Sequence, residues 1–217
     1  MENLLRYQWN PYLIYGQKRV LKKNHILYRQ GELGNGFYYV AEGHVNIKII
    51  SDQGIERIVD YTPEGFLIGE QGILEKPYMS TAITETKSIL YYFSNETFQE
   101  ICKKHRDAGT LFMNSLIQKI RLLAETVSLL NSPVELQMAH FLHKLYHKYG
   151  SSHLPISQTS LAQYIGTSRI SIYKILQQWL ERELIDVRNR SIYLLDIKQI
   201  ESILKIDSKI SSQQFHL

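Results

Sequence analysis

The chain has 217 residues, a formal net charge of +4 and a sequence pI near 9.0, a mild basic excess that many kinds of protein share. Its length suits one large or two modest domains; with 44% hydrophobic and 21% charged residues the composition is that of a soluble globular protein, and no low-complexity run suggests a long disordered region. The single cysteine, Cys102, excludes an intrachain disulfide and any cluster held by several thiolates, and no apolar run reaches bilayer length. With no resolving partner nearby, Cys102 reads as a buried structural thiol rather than a redox sensor. The N-terminus lacks a basic start followed by a sustained apolar core, so a cytoplasmic location is expected.

Residues 18–94 read as a series of short β-strands. Eight of the twelve glycines lie between Gly31 and Gly72 and separate apolar or alternating runs. The clearest runs are 37–40, 45–50, 57–61 and 89–93. Asp52-Gln53-Gly54 suits a hairpin turn, and Pro63-Glu64-Gly65 another. Strands this short and frequent imply a sandwich or barrel-like roll rather than a βαβ sheet. A small barrel with a histidine set could hold a catalytic metal, as in a dioxygenase or isomerase. Here the strands offer only His25 and His44, with no close pair, and both read as partly exposed strand residues.

The chain turns helical after Asn95-Glu96 and is expected to stay so over 107–131. Met113, Leu116, Ile120, Leu123, Val127 and Leu130 recur at alternating intervals of three and four, a heptad seam. Phe112, Leu122, Thr126 and Leu129 widen the apolar stripe beyond what a two-stranded seam needs. One reading is a core helix packed within its own domain; the other is a dimer helix whose extra stripe lies on the roll. Ser132-Pro133 breaks this helix and opens the next, whose inward stripe is Val134, Met138, Phe141, Leu142, Leu145 and Tyr149. His140, His143 and His147 share another face, a spacing open to a metal or pH sensor and equally to a plain solvated surface. Gly150-Ser151-Ser152 ends the helix, and Leu154-Pro155-Ile156 reads as a short strand.

Two short helices then meet at a tight turn. Leu161 and Ile165 face inward from the first, Ala162 is small where a second helix must pass, and Gly166 suits positive φ. Thr167 and Ser168 cap a second helix with Ile172, Ile175, Leu176 and Trp179 on its inner face. Arg169, Ile170, Ser171, Tyr173 and Lys174 are left near its start, as on a helix that enters the major groove by its N-terminus. A helical hairpin with a similar core is the alternative. Val187-Arg188 and Ser191 to Leu194 can pair around Asn189-Arg190 as a hairpin wing, bringing Arg188 and Arg190 towards a phosphate backbone. A helix over 197–206 and a loose end from 208 complete the chain. From Ser132 onward there are ten Lys or Arg against seven Asp or Glu, so most of the basic surplus accompanies the helix-turn-helix.

The segments Leu27-Tyr28-Arg29-Gln30-Gly31-Glu32, Phe37 to Val45, Gly54, Gly65-Phe66 and Ile68-Gly69-Glu70 resemble the cyclic-nucleotide-binding roll of CRP/FNR regulators. The helix-turn-helix matches the same family in the same order, so the resemblance covers almost the whole chain. It implies an α+β fold: an N-terminal β-roll (a jelly-roll-like double-stranded β-helix) as sensor over 1–106, a dimerisation helix over 107–131, and a winged helix-turn-helix over 132–217. It implies a bacterial, homodimeric, non-enzymatic transcription regulator, activator or repressor, on double-stranded DNA carrying an inverted repeat, with RNA polymerase as a further partner and no membrane.

The departures from the family bear on the effector. In members that bind cyclic AMP the Gly-Glu segment is followed by a phosphate-binding Arg-Ser pair, whereas residues 69–82 here contain no Arg. A buried cyclic phosphate needs a bidentate cation, for which Lys76 offers only a point charge. Polar Thr and Ser on the long helix contact the base in those relatives, and by counting back from Val134 these positions fall near Leu122 and Leu123. Gly69, Glu70, Lys76, Leu122, Leu123 and Thr126 are therefore the candidate pocket for a small effector other than cyclic AMP. The alternatives are a vestigial roll and, more remotely, a β-barrel metalloenzyme fused to a DNA-binding domain. No cofactor is identified. The lack of a cysteine set argues against an iron–sulfur cluster, and haem ligation by one histidine stays open.

The family's base-reading triplet in its cyclic-AMP branch is Arg, Glu, Arg. Arg169 matches the first and Lys174 stands at the third, while Ile170 replaces the Glu. Glu accepts from a cytosine amino group and Ile can only touch a thymine methyl, so a different operator is implied, with half-sites about one helical turn apart. Thr159, Ser168, Arg169, Ile170, Ser171, Tyr173, Lys174, Arg188 and Arg190 form the expected DNA-binding set. Arg169 and Lys174 could each read a base or hold a phosphate.

Overall fold

Glycine-separated β-branched and aromatic runs fold into two four-stranded antiparallel sheets in the computed structural model, which describes residues 5–52, 54 and 56–204. The chain divides into two units, Met1–Glu125 and Thr126–Leu217. In the first, β1 (Gln17–Leu21), β8 (Ser88–Ser94), β3 (Gly36–Glu42) and β6 (Leu67–Ile68) pair in that order. The second sheet runs β2 (Ile26–Tyr28), β7 (Thr81–Thr84), β4 (His44–Ile50), β5 (Glu56–Pro63). Apart from the β4–β5 hairpin, consecutive strands thus alternate between the two sheets, which is how a roll is wound. The turn expected at Asp52-Gln53-Gly54 includes Gln53, which lies outside the described residues; beside it the Gly54 N–H donates to the Ser51 carbonyl at 2.8 Å. His44 opens β4, but His25 lies just before β2, exposed and outside any strand.

The middle strand β3 is buried on both faces, so it lacks the alternation of a strand with one wet side. Phe37 and Tyr39 join Trp9, Tyr12, Phe93 and Phe112 in one aromatic cluster. Tyr38 and Val40 point the other way, into a cluster with Tyr28, Val45, Tyr78 and Leu90. The first cluster is closed by helices α1 (Asn95–Lys104) and α2 (Arg106–Ser128), which contribute Ile101, Ala108 and Phe112. Ser94 caps α1 by accepting from the Thr97 N–H at 3.2 Å. Cys102 on α1 is half-buried and free, and burial pushes its thiol up, away from the reactive thiolate. The helix expected to reach 131 ends at Ser128. Three-residue turns take over, with N–H groups of Leu129, Leu130 and Ser132 donating to carbonyls three residues back at 3.0–3.3 Å.

The second unit opens with α3 (Val134–Tyr149), stopped by Gly150 in the left-handed conformation at φ +64°. Its buried stripe is Leu136, Met138, Ala139, Phe141, Leu142 and Leu145. Val134 and Tyr149, expected inward, are only half-buried because the stripe is rotated towards Leu136 and Ala139. The helix-turn-helix follows as α4 (Gln158–Ile165) and α5 (Arg169–Glu181). A three-stranded sheet orders β10 (Ile185–Arg188), β11 (Ser191–Leu194) and β9 (His153–Leu154), the last in place of the strand read at 154–156. Residues 197–204 are helical, with Ile200 buried; the remainder of the helix expected to 206 and the end from 208 lie outside the described residues. Trp179 fills the core of this unit, and its indole N–H donates to Glu135 Oε1 at 2.8 Å, so the buried polar handle is satisfied. Among the described residues no helix is long and apolar enough to cross a membrane.

Candidate functional site

The second helix of the pair, α5, is fixed from below and held at its start. Ile172, Leu176 and Trp179 are fully buried and Ile175 partly so, which sets the rotation of the helix. Gly166 ends α4 at φ +78°, a conformation that costs a Cβ-bearing residue about 1 kcal/mol. Ser168 then caps α5, accepting from the Ser171 N–H at 3.0 Å, with the two hydroxyls 2.9 Å apart. Ser171 is thereby committed to the cap. Arg169, Ile170, Tyr173 and Lys174 share one exposed face at the positive end of the helix dipole, Ile170 at 69% and Tyr173 at 51% exposure. Arg169 and Lys174 make no ion pair among the described residues. Thr159 is exposed near the start of α4.

The wing pairs Val187 with Ile192 and Arg188 with Ser191, around Asn189 at φ +49° and Arg190 at φ +62°. Two successive left-handed residues make the type I′ turn whose twist matches a hairpin. Arg190 projects from it, exposed. Arg188 is engaged by its own strand: its guanidinium pairs with the Asp186 carboxylate and lies 5.8 Å from the Tyr193 ring centre. Arg190 is therefore the freer of the two cations.

In the roll, the 3-10 turn after β6 carries Glu70, whose side chain is 2% exposed. The Ser115 hydroxyl donates to its Oε1 at 2.7 Å, and the Lys119 ammonium reaches both carboxylate oxygens. Lys119 also donates to the Leu67 carbonyl at 2.9 Å. Above the turn, the Tyr28 and Tyr78 rings stack at 4.0 Å, and the Tyr78 hydroxyl donates to the Gly36 carbonyl at 2.9 Å. Burial raises both phenols well above the ordinary tyrosine value, and the Glu70 carboxylate pushes Tyr28 further. The packing excludes side chains at two glycines: a Cβ on Gly69 would sit 2.9 Å from the Tyr28 ring, and one on Gly72 2.1 Å from the Gly36 carbonyl oxygen.

The six residues expected to line one effector pocket are distributed. Gly69 and Glu70 sit in this turn, Lys76 is exposed further along the loop, Leu122 is half-buried and Leu123 exposed. Thr126 belongs to the second unit, with its hydroxyl within 3.5 Å of Tyr164. The cation that meets Glu70 is Lys119, which sequence reasoning missed together with Ser115, Tyr28 and Tyr78. Spacing held a signal: Ala108, Phe112, Ser115 and Lys119 recur at intervals of four, three and four, a second row on α2. Met113, Leu116, Ile120, Leu123 and Val127 of the heptad row lie elsewhere on the same helix and Leu130 just past its end; all six are exposed, with Ile117 beside them.

Of the three α3 histidines, His143 and His147 approach at 3.0 Å between Nε2 atoms, and His143 Nε2 lies 3.4 Å from Glu201 Oε1. Glu201 was not singled out from sequence.

Residues 18–105 match the family model described as "Cyclic nucleotide-binding domain", and residues 137–203 match "Crp-like helix-turn-helix domain". The chain is 23% identical over 176 residues to the cAMP-activated global transcriptional regulator CRP of Salmonella typhimurium, covering 76% of this chain and 83% of that protein. It is similar in fold to FixK2 from Bradyrhizobium japonicum, with a TM-score of 0.77, 14% identity, and coverage of 87% and 96% of the two chains. The c-di-GMP-responsive global regulator CLP of Xanthomonas campestris matches with a TM-score of 0.72 at 21% identity, over 86% and 97%.

Proposed function

Since the chain belongs to the CRP/FNR family of transcription regulators, we propose that it acts as a homodimeric reader of an inverted DNA repeat in the bacterial cytoplasm, without enzymatic activity of its own. The observation that carries this reading is the capped, core-anchored helix α5 with Arg169, Ile170, Tyr173 and Lys174 together on its exposed face. A rigid helix offering two cations, an aromatic ring and a methyl-rich side chain has the groups that bind phosphates, guanine edges and thymine methyls. Arg190 and, less freely, Arg188 add backbone contacts from the wing. The exposed apolar row Met113, Leu116, Ile120, Leu123, Val127 and Leu130 supports a second copy of the chain as its cover, since a heptad row left wet is unfavourable. Two heads related by a two-fold axis read half-sites about one helical turn apart.

Control by a small effector other than cyclic AMP is the reading we favour for the roll. The segment 69–82 has no Arg for a cyclic phosphate, and Lys119 already neutralises Glu70. The second reading, a roll that needs no effector, is favoured by that same internal ion pair together with the Tyr28–Tyr78 stack, which fill the space around the turn. An effector controls DNA binding only if it prefers one arrangement of the protein over another. Contact with RNA polymerase, in activation, is part of the same proposal.

Operator selection from a random DNA pool, with and without candidate effectors, separates these readings. Enrichment of one inverted repeat without addition supports the effector-free roll; enrichment only with an effector supports the controlled one. Failure to enrich any repeat under either condition would overturn the DNA-reading function.

A further inference from the structure

We propose that His143, His147 and Glu201 form a binding site for a divalent transition ion of the zinc type, which clamps the helical segment 197–204 onto α3. The two histidines are four residues apart on α3, so one helical turn brings their rings to the same face. Their Nε2 atoms are 3.0 Å apart, His143 Nε2 is 3.4 Å from Glu201 Oε1, and the three ligand atoms all lie within 4.8 Å of one another. Ligands about 2.0–2.1 Å from a tetrahedral ion stand roughly 3.3 Å apart, so two of the three separations already match such a site.

Hydrogen bonding alone serves this trio poorly. A neutral imidazole has one N–H and one lone pair, and the Glu201 carboxylate only accepts. If the His143 Nε2–H faces Glu201, the His147 lone pair is left with a shared donor. If His143 Nε2 instead accepts from His147, its lone pair faces an anion. A cation between the three atoms satisfies every contact at once. Two imidazoles and one carboxylate suit zinc, with nickel and copper as competitors by intrinsic affinity and calcium or magnesium disfavoured by the nitrogen donors.

The surroundings allow both entry and positioning. His147 is exposed, while His143 and Glu201 are half-buried, leaving a rim through which an ion arrives and retains water in its remaining positions. Ile200, next to Glu201, is fully buried and anchors the segment that presents the carboxylate. The ion would join the last described helix of the reading unit to its first, through His143 and Glu201, which are 58 positions apart in the chain.

Equilibrium dialysis of the full-length, chelator-stripped protein against zinc, with hydrogen exchange on 197–204, tests the site. One zinc per chain should bind, and exchange in 197–204 should slow. His147→Ala and Glu201→Gln should each weaken binding by at least about tenfold, the loss typical of even an indirect partner of a ligand, and abolish the slowing. Their metal-free thermal midpoints should stay close to that of the parent, since His147 is exposed and the half-buried Glu201 side chain keeps 38% of its surface in water. Absence of binding overturns the proposal. So does binding that survives both substitutions, which places the ion elsewhere, or binding that survives Glu201→Gln alone, which removes the clamp.

Discussion

Glu70 in the roll and Arg169 in the reading head are both charged residues beside apolar neighbours, yet their surroundings are opposite. Glu70 is withdrawn from water and receives Ser115 and Lys119 from a neighbouring helix, so its charge is spent inside the fold. Arg169 stands on a helix whose underside is locked by Ile172, Leu176 and Trp179, and its charge is left for something outside. Removing a partner from the first arrangement costs the fold, because an uncompensated buried ion remains. Removing a charge from the second should leave the fold alone and cost only the complex.

The largest expected effect is therefore Lys119→Met. It leaves the Glu70 carboxylate with Ser115 as its side-chain donor and should destabilise by about 3 kcal/mol. That is the low end for a broken buried pair, since Lys119 is 31% exposed and solvent screens part of the charge. Adding Glu70→Gln should recover most of the loss, as urea midpoints of the single and double variants will measure. A single variant as stable as the parent would erase the contrast between the two regions. Arg169→Ala comes next, weakening a selected operator by roughly 1–3 kcal/mol at fixed salt if it reads a base, with thermal stability unchanged. A uniform loss across unrelated sequences, with a salt slope shallower by about one, would assign it to a phosphate instead.

Ser168→Ala lies between the two classes, since the residue caps the very helix that carries Arg169. It should cost about 1 kcal/mol in thermal or chemical unfolding. Specific DNA affinity should fall in the same variant through fraying of the first turn, measured by a fluorescence-anisotropy titration. The smallest effect belongs to Arg190→Gly, which relieves a left-handed residue and should stabilise by a few tenths of a kcal/mol while weakening DNA binding. Opposite signs for stability and affinity would identify Arg190 as a residue kept for its contacts. Equal signs would return it to the wing's own structure.

The reading head was largely legible in the sequence because its determinants are local. Gly166 at a left-handed turn, Ser168 at a cap and Asn189-Arg190 between two pairing runs act within a few residues. The four clearest strand runs are local signals of the same kind, and each lies within a strand. The interior of the roll was not legible in the same way. The row Ala108, Phe112, Ser115, Lys119 contains two polar members, so a search for apolar periodicity passes over it; only the meeting with Glu70, some fifty residues earlier, gives it meaning. Tyr78 lies in an irregular segment with no pattern of its own, and its role follows from stacking on Tyr28. Glu201 likewise acquires significance from two histidines distant in the chain.

The two tryptophans are divided between the two units, and this gives the protein a built-in pair of optical probes. Trp9 lies among Phe37, Phe93 and Phe98 in the roll, 3% exposed, whereas Trp179 is fully buried in the reading unit with its indole N–H on a carboxylate. Each emission band therefore reports the loss of one core. A Trp179→Phe protein would fluoresce from the roll alone, and Trp9→Phe from the reading unit alone. Following both through a urea titration asks whether the roll and the helix-turn-helix unit melt as one cooperative body or in sequence.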